Sequence, residues 1–169
     1  MRKILNHPLC FIMILIAFIC NMTIYAQEQP PIPVEVEVST SQYLNFGTFV
    51  VEDGGGRLSV DDQGIRTPGP GVTLLNSGEP VSAALFDVYA NPGTLINISH
   101  ASSFELLGTS GQTITLKIDS YSTGKTFITT QSADVPNPVF VGGTLYLDDI
   151  SANGAGKYNG TFNLTFIQE

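Results

Sequence analysis

The sequence predicts an all-β fold, a single β-sandwich domain, from three observations. Apolar residues alternate with polar ones at period two in several short runs, turn-forming residues fill the gaps between those runs, and no window carries the apolar spacing of a long helix. Strands of this kind bury one face and expose the other. Many short ones joined by turns close as two packed sheets.

The first residues stand apart from that pattern. Arg2 and Lys3 precede an apolar run of eleven residues, Leu9 to Ile19, followed by a short stretch that ends at Ala26. Such a run fits a secretory leader and falls short of the ~20 residues that a helix needs to cross a bilayer. Residues 1–26 therefore read as a signal peptide cleaved after Ala26, with no stable membrane insertion. Cys20 follows the bulky Ile19, which disfavours its use as a lipid anchor. Residues 27–33 carry Pro30, Pro31 and Pro33 and read as an extended, unpaired lead, and residues 34–169 as the β-sandwich domain.

Within the domain the first alternating run is Val34, Val36, Val38. Later ones are Phe86, Val88, Ala90, then Ile114, Leu116, Ile118, then Leu145, Leu147, and finally Phe162, Leu164, Phe166. The stretch from Val81 to Ala90 reads as a strand rather than a helix, since it is short and lies between Pro80 and Pro92. Turns are expected at Gly54-Gly55-Gly56, Pro68 to Gly71, Asn91-Pro92-Gly93, Gly142-Gly143 and Asn153-Gly154. One local pattern, Gly-Thr followed by alternate apolar residues, recurs at Gly47, Gly93, Gly143 and Gly160. Its spacing is irregular, which excludes a solenoid, and it suits a glycine that relaxes a turn or bulge before a β-branched residue opens a strand. The expected core comprises Leu44, Phe46, Phe49, Leu74, Phe86, Leu116, Leu145, Leu147, Phe162, Leu164 and Phe166.

Charge and composition limit the chemistry. Seven basic residues against fifteen acidic ones give a net charge of −8, and removal of Arg2 and Lys3 with the leader moves it to about −10. The remaining basic residues, Arg57, Arg66, Lys117, Lys125 and Lys157, are scattered along the sequence, so no nucleic-acid partner is expected. Cleavage also takes both cysteines and His7, leaving His100 as the one histidine. A single His with no Gly-x-Ser-x-Gly turn makes a poor catalytic base, and one His without cysteine makes a poor zinc site. No catalytic residue, cofactor or metal ligand is assigned, and the chain reads as a non-enzyme. The pairs Glu52-Asp53, Asp61-Asp62 and Asp148-Asp149 read as solvated loop charge, with calcium as the functional alternative. Tyr43, Tyr89, Tyr121, Tyr146 and Tyr158 are spread along the chain, which suits cross-strand packing more than a sugar-binding platform.

A family resemblance rests on five motifs in order: Leu44-Asn45-Phe46-Gly47-Thr48, the Gly54-Gly55-Gly56 turn, Gly71-Val72-Thr73-Leu74-Leu75, Val141-Gly142-Gly143-Thr144-Leu145 and Tyr158-Asn159-Gly160-Thr161-Phe162. Together they resemble an uncharacterised family of secreted bacterial domains, similar to pilin-like and spore-coat-protein-U-like β-sandwiches, over Tyr43 to Glu169. The resemblance implies an immunoglobulin-like sandwich with a surface or fimbrial role, located in the periplasm, at the cell surface or outside the cell. Pilins of this type end in an alternating strand preceded by a glycine fourteenth from the end, and Gly156 holds that place, with Phe162, Leu164 and Phe166 following it. The penultimate residue, however, is Gln168 where such pilins carry an aromatic, and their cysteine pair is missing. Partners implied are copies of the chain or related subunits, and an assembly chaperone.

The N-terminal run then has two fates. Ile32, Val34, Val36 and Val38 alternate behind the proline-rich lead, so the segment is either the domain's own first strand or a strand donated to a neighbour. Four buried aliphatic side chains contribute roughly 6 to 12 kcal/mol before ordering costs, enough to hold a subunit contact. Two functions are accordingly carried forward: a secreted structural or cell-surface subunit that assembles by β-strand addition, and a secreted monomeric module that binds calcium or an extracellular glycan through loops such as residues 54–63 and 148–155.

Overall fold

In a computed structural model, which describes residues 35–38 and 42–169, the chain is all-β with no helix among the described residues. Thirteen strands form: β1 Glu35–Val38, β2 Thr48–Val51, β3 Gly56–Val60, β4 Arg66–Pro68, β5 Val72–Leu75, β6 Ala84–Tyr89, β7 Leu95–Ser99, β8 Phe104–Gly108, β9 Thr113–Tyr121, β10 Thr126–Ile128, β11 Asn137–Leu147, β12 Tyr158–Asn159 and β13 Thr165–Gln168. The signal peptide, the proline-rich lead, Ile32 and Val34 lie outside the described residues.

The largest sheet has eight strands. Its path runs β1-β6-β11-β9-β8-β12, with β3 paired to β11 and β4 paired to β3. Strand β11 is its axis: one edge pairs with β9, while the other is shared end to end by β6 up to Val141 and by β3 from Gly143. Two smaller sheets, β10-β7-β13 and β2-β5, are separate ladders. Both send side chains into the same core as the large sheet, through Ile98 and Phe166 from one and Val72 and Phe49 from the other.

Period-two patterning explains these strands. In β6 the core side chains Ala84, Phe86 and Val88 are buried while Leu85, Asp87 and Tyr89 are half-exposed, and β9 buries Ile114, Leu116 and Ile118 in the same way. Full burial is reached at Leu58, Val88, Ile96, Ile98, Val139 and Val141, each with no measurable exposure. Each such side chain contributes about 1.5–3 kcal/mol. Of the expected core, Phe46, Phe86, Leu116, Leu145 and Leu147 are buried, whereas Leu44, Phe49, Leu74, Phe162, Leu164 and Phe166 are only partly buried around its margin.

Two expectations need correction. Gly142-Gly143 is not a turn but lies in the middle of β11, where its neighbour changes from β6 to β3 and its register on β9 slips. Asp119 is the residue left over on β9 by that slip, between partners Ile118 and Ser120, so the site is a bulge. A Cβ on Gly142 would lie 2.2 Å from the Val60 carbonyl oxygen, and one on Gly143 would lie 2.6 Å from that of Lys117. The glycines are there because three backbones crowd together. The second correction concerns Phe162 and Leu164, expected on a strand: only Thr165–Gln168 forms one.

Candidate functional site: an open strand edge

The C-terminal chain leaves one sheet and joins another. Tyr158 and Asn159 pair with Gly108 and Leu107 of β8, and seven residues after Tyr158 the chain pairs with β7, from Thr165 opposite Ser99 to Gln168 opposite Ile96. Between these ladders, Gly160 to Leu164 make no backbone hydrogen bond among the described residues. Gly160 holds the chain close to β8, since a Cβ there would lie 2.7 Å from the Glu105 carbonyl oxygen.

This unpaired segment nevertheless behaves like a strand in its side chains. Thr161, Asn163, Thr165 and Ile167 are exposed, while Phe162, Leu164 and Phe166 alternate with them and point to the core, half-buried. Phe162 packs edge-on against Phe86 at 6.1 Å between ring centroids and against Phe104 at 5.9 Å, and Phe166 lies 5.7 Å from Phe86. Aromatic contacts thus fix the path of the chain. The outer edge of β13 is also without a partner strand among the described residues. Among the described residues, a partly exposed apolar face occurs together with unpaired backbone groups, those of residues 160–164 and those on the outer edge of β13, and such an edge is a template for a further strand.

The other residues singled out for assembly fall elsewhere. Val36 and Val38 lie on β1, which pairs antiparallel with β6 of its own chain, Val36 opposite Val88 and Val38 opposite Phe86. Gly156 is exposed and sits against the β8–β9 turn, where a Cβ would meet the Thr109 hydroxyl at 2.7 Å; it is not part of the Phe162–Phe166 edge.

Several motifs prove to be architectural. The Arg66 guanidinium donates to the carbonyl oxygens of Phe46 at 3.0 Å, Thr48 at 2.9 Å and Leu75 at 3.1 Å. It thereby ties Leu44-Asn45-Phe46-Gly47-Thr48 to the end of β5. Gly47 adopts a φ of 67° beside it, with Asn45 Oδ1 accepting from the Gly47 N–H at 2.8 Å. Sequence reading missed this clamp, because an arginine that binds carbonyls leaves no acidic partner in the sequence to betray it.

The acidic pairs also resolve into local structure. Asp61 Oδ1 accepts from the N–H groups of Gln63 and Ile65, and Asp149 Oδ1 from those of Ser151 and Ala152 and from the Ser151 hydroxyl. These bonds, the Ser151 hydroxyl foremost, hold the Asp149 carboxyl below its ordinary range. No group of three or more His, Asp or Glu side chains converges to hold a metal among the described residues. His100 follows the end of β7, and both of its ring nitrogens are engaged. Nδ1 faces the Ala101 carbonyl at 2.7 Å and so donates to it, while Nε2 is hydrogen-bonded to the Tyr121 hydroxyl. Burial, with the Asp119 charge second, raises the Tyr121 pKa and favours that protonated phenol.

With the geometry in place, comparison with protein families shows that residues 36–167 match the model of Domain of unknown function (DUF4402). The chain belongs to that family. No curated protein and no solved structure matches it. The DUF4402 region runs from β1 into β13, so both the N-terminal strand and the open C-terminal edge lie within it.

Proposed function

We propose that this DUF4402 chain is an exported, non-enzymatic structural subunit of a cell-surface assembly, with an immunoglobulin-like sandwich that takes up a strand from a neighbouring subunit along residues 160–168. The supporting observation is the segment Gly160 to Leu164, whose side chains alternate as a strand's do while its backbone has no ladder. A strand laid along it would cover Phe162, Leu164 and Phe166 and pair the free groups, the two gains that drive strand addition. In this reading the two small sheets form one face of the sandwich, incomplete for want of that strand. The incoming strand belongs to a copy of the chain or a related subunit, and the apolar alternation of residues 32–38 is the pattern it needs.

Proline at position 168 tests the reading. The β13–β7 ladder turns the Glu169 N–H to the Leu95 carbonyl, and with it that of Ile167 to β7, so the Gln168 N–H faces the open edge and has no partner among the described residues. Gln168→Pro therefore removes no hydrogen bond among the described residues but denies one to an added strand. The mature protein, or its complex with a synthetic peptide spanning Ile32 to Thr40, is sized by light scattering. Association by the native chain that disappears in a folded Gln168→Pro variant supports strand addition. A native chain that stays monomeric and ignores the peptide, or a variant that associates as well as the native one, rejects it.

A further inference from the structure

We infer that the outer face of the large sheet carries a second site, centred on Tyr146, that binds a saccharide bearing a carboxylate. The Arg57 guanidinium lies 4.8 Å from the centroid of the Tyr146 ring and the Lys117 ammonium 4.6 Å from it. Sixty residues separate these cations in sequence, and the ladder brings them together: Arg57 of β3 is the cross-strand partner of Tyr146, and Lys117 of β9 is the partner of Thr144 on the same side of β11. Neither cation has an acidic partner among the described residues, in a chain whose net charge is −8. Ring attraction offsets part of the repulsion between them, but leaves both charges unneutralised.

The surroundings decide the class of ligand. Arg57, Tyr146, Asp119, Thr144, Ser59 and Thr67 line a shallow depression of about 350 Å³, open to solvent. Asp119, the residue displaced at the β9 bulge, accepts a hydrogen bond from the Thr144 hydroxyl on Oδ2 at 2.7 Å, which leaves Oδ1 without a partner among the described residues. A bare phosphate would meet the two cations, but with up to two negative charges it is repelled by Asp119 more strongly than a single carboxylate and brings no sugar hydroxyls to it. A uronic acid unit suits these groups: its carboxylate faces the cations that Tyr146 holds, Arg57 and Lys117, and its hydroxyls donate to Asp119. The overall negative charge of the chain opposes a dense polyanion, so the ligand is a glycan with isolated acidic units. The site stands independently of the strand edge, on a different sheet.

Digalacturonate titrated into the 15N-labelled protein, with chemical shifts recorded, tests the assignment, using galactobiose as the neutral counterpart. Shifts are expected at Arg57, Lys117, Thr144 and Tyr146, with affinity falling roughly tenfold in Lys117→Gln and Arg57→Gln, each a loss of one charge-assisted contact. Tyr146→Leu is expected to weaken binding by a similar factor, and Lys125→Gln to leave it unchanged. No shift at about 10 mM ligand, an affinity weaker than any useful for a surface module, would overturn the inference. So would equal binding of galactobiose, equal loss in Lys125→Gln, or tighter binding of inorganic phosphate. An Asp-Ser-Asp tripeptide that binds the same residues more tightly than the sugar would assign the site to an acidic protein segment instead.

Discussion

Gly143-Thr144-Leu145-Tyr146-Leu147 and Gly160-Thr161-Phe162-Asn163-Leu164 share one pattern and have opposite fates. The first lies in β11, hydrogen-bonded on both edges, with Leu145 3% and Leu147 6% exposed. The second has no ladder among the described residues, and Phe162 and Leu164 are only partly buried. Alternation of side chains therefore does not by itself make a sheet. It is set locally, by the pleat of an extended chain, whereas pairing depends on which backbones the topology brings alongside. Segment 143–147 lies between two strands, β3 and β9; segment 160–164 spans the gap between two sheets.

The largest effect in that comparison is expected at the crowded middle of β11. Gly142→Ala places a methyl group 2.2 Å from a backbone carbonyl oxygen that no side-chain rotation can move. It is expected to cost about 3 kcal/mol or more in urea unfolding, as overpacking against fixed structure does. A change under about 1 kcal/mol would mean that β3 and β11 are less closely apposed than the account requires.

A matched pair of truncations measures the contrast itself. Leu145→Ala opens a cavity in a buried site and is expected to cost about 2–5 kcal/mol, whereas Leu164→Ala, at a site already half-hydrated, is expected to cost about 1 kcal/mol. Equal losses in the two variants would show that the C-terminal edge is packed as tightly as β11 and has no room for a further strand.

How far the sequence could be read follows from the same distinction. Period-two runs at Phe86, Val88, Ala90, at Ile114 to Ile118 and at Leu145, Leu147 became strands β6, β9 and β11, with Ala90 just past the end of β6, and the turns expected at Gly54-Gly55-Gly56, Pro68 to Gly71 and Asn91-Pro92-Gly93 lie between strands except for Gly56, in β3, and Pro68, in β4. Each of these is a local property. What was not legible depends on neighbours distant in sequence: Gly142 is excluded from bearing a side chain by Val60, Arg66 clamps Phe46 and Thr48, and Lys117 and Arg57 both reach Tyr146 from the strands flanking β11. For the candidate edge, alternation at Phe162, Leu164 and Phe166 was visible in the sequence, but the missing ladder was not.

The smallest expected effect concerns pH. Asp149 is ionised and hydrogen-bonded in a fully exposed turn, and its pKa lies below the ordinary value in the folded chain. A carboxyl with a depressed folded pKa contributes stability above its unfolded pKa, about 3.9, and loses it as pH falls through the folded value. Melting temperature compared between native and Asp149→Asn protein is expected to differ slightly at pH 6 and to converge near pH 2, at about two units below the unfolded pKa. A difference that grows on acidification would contradict this sign.

Amide hydrogen exchange on the chain tests the open edge most directly. In the unassociated protein the N–H groups of Thr161, Phe162, Asn163 and Leu164 are expected to exchange nearly as fast as in an unfolded peptide, while those of Leu116, Val141 and Leu145 are protected to the level of global unfolding. On association with another subunit or with the Ile32 to Thr40 peptide, protection is expected to appear along residues 161–167 and little elsewhere. Strong protection of residues 161–164 before association, or association that leaves their exchange unchanged, would contradict the account.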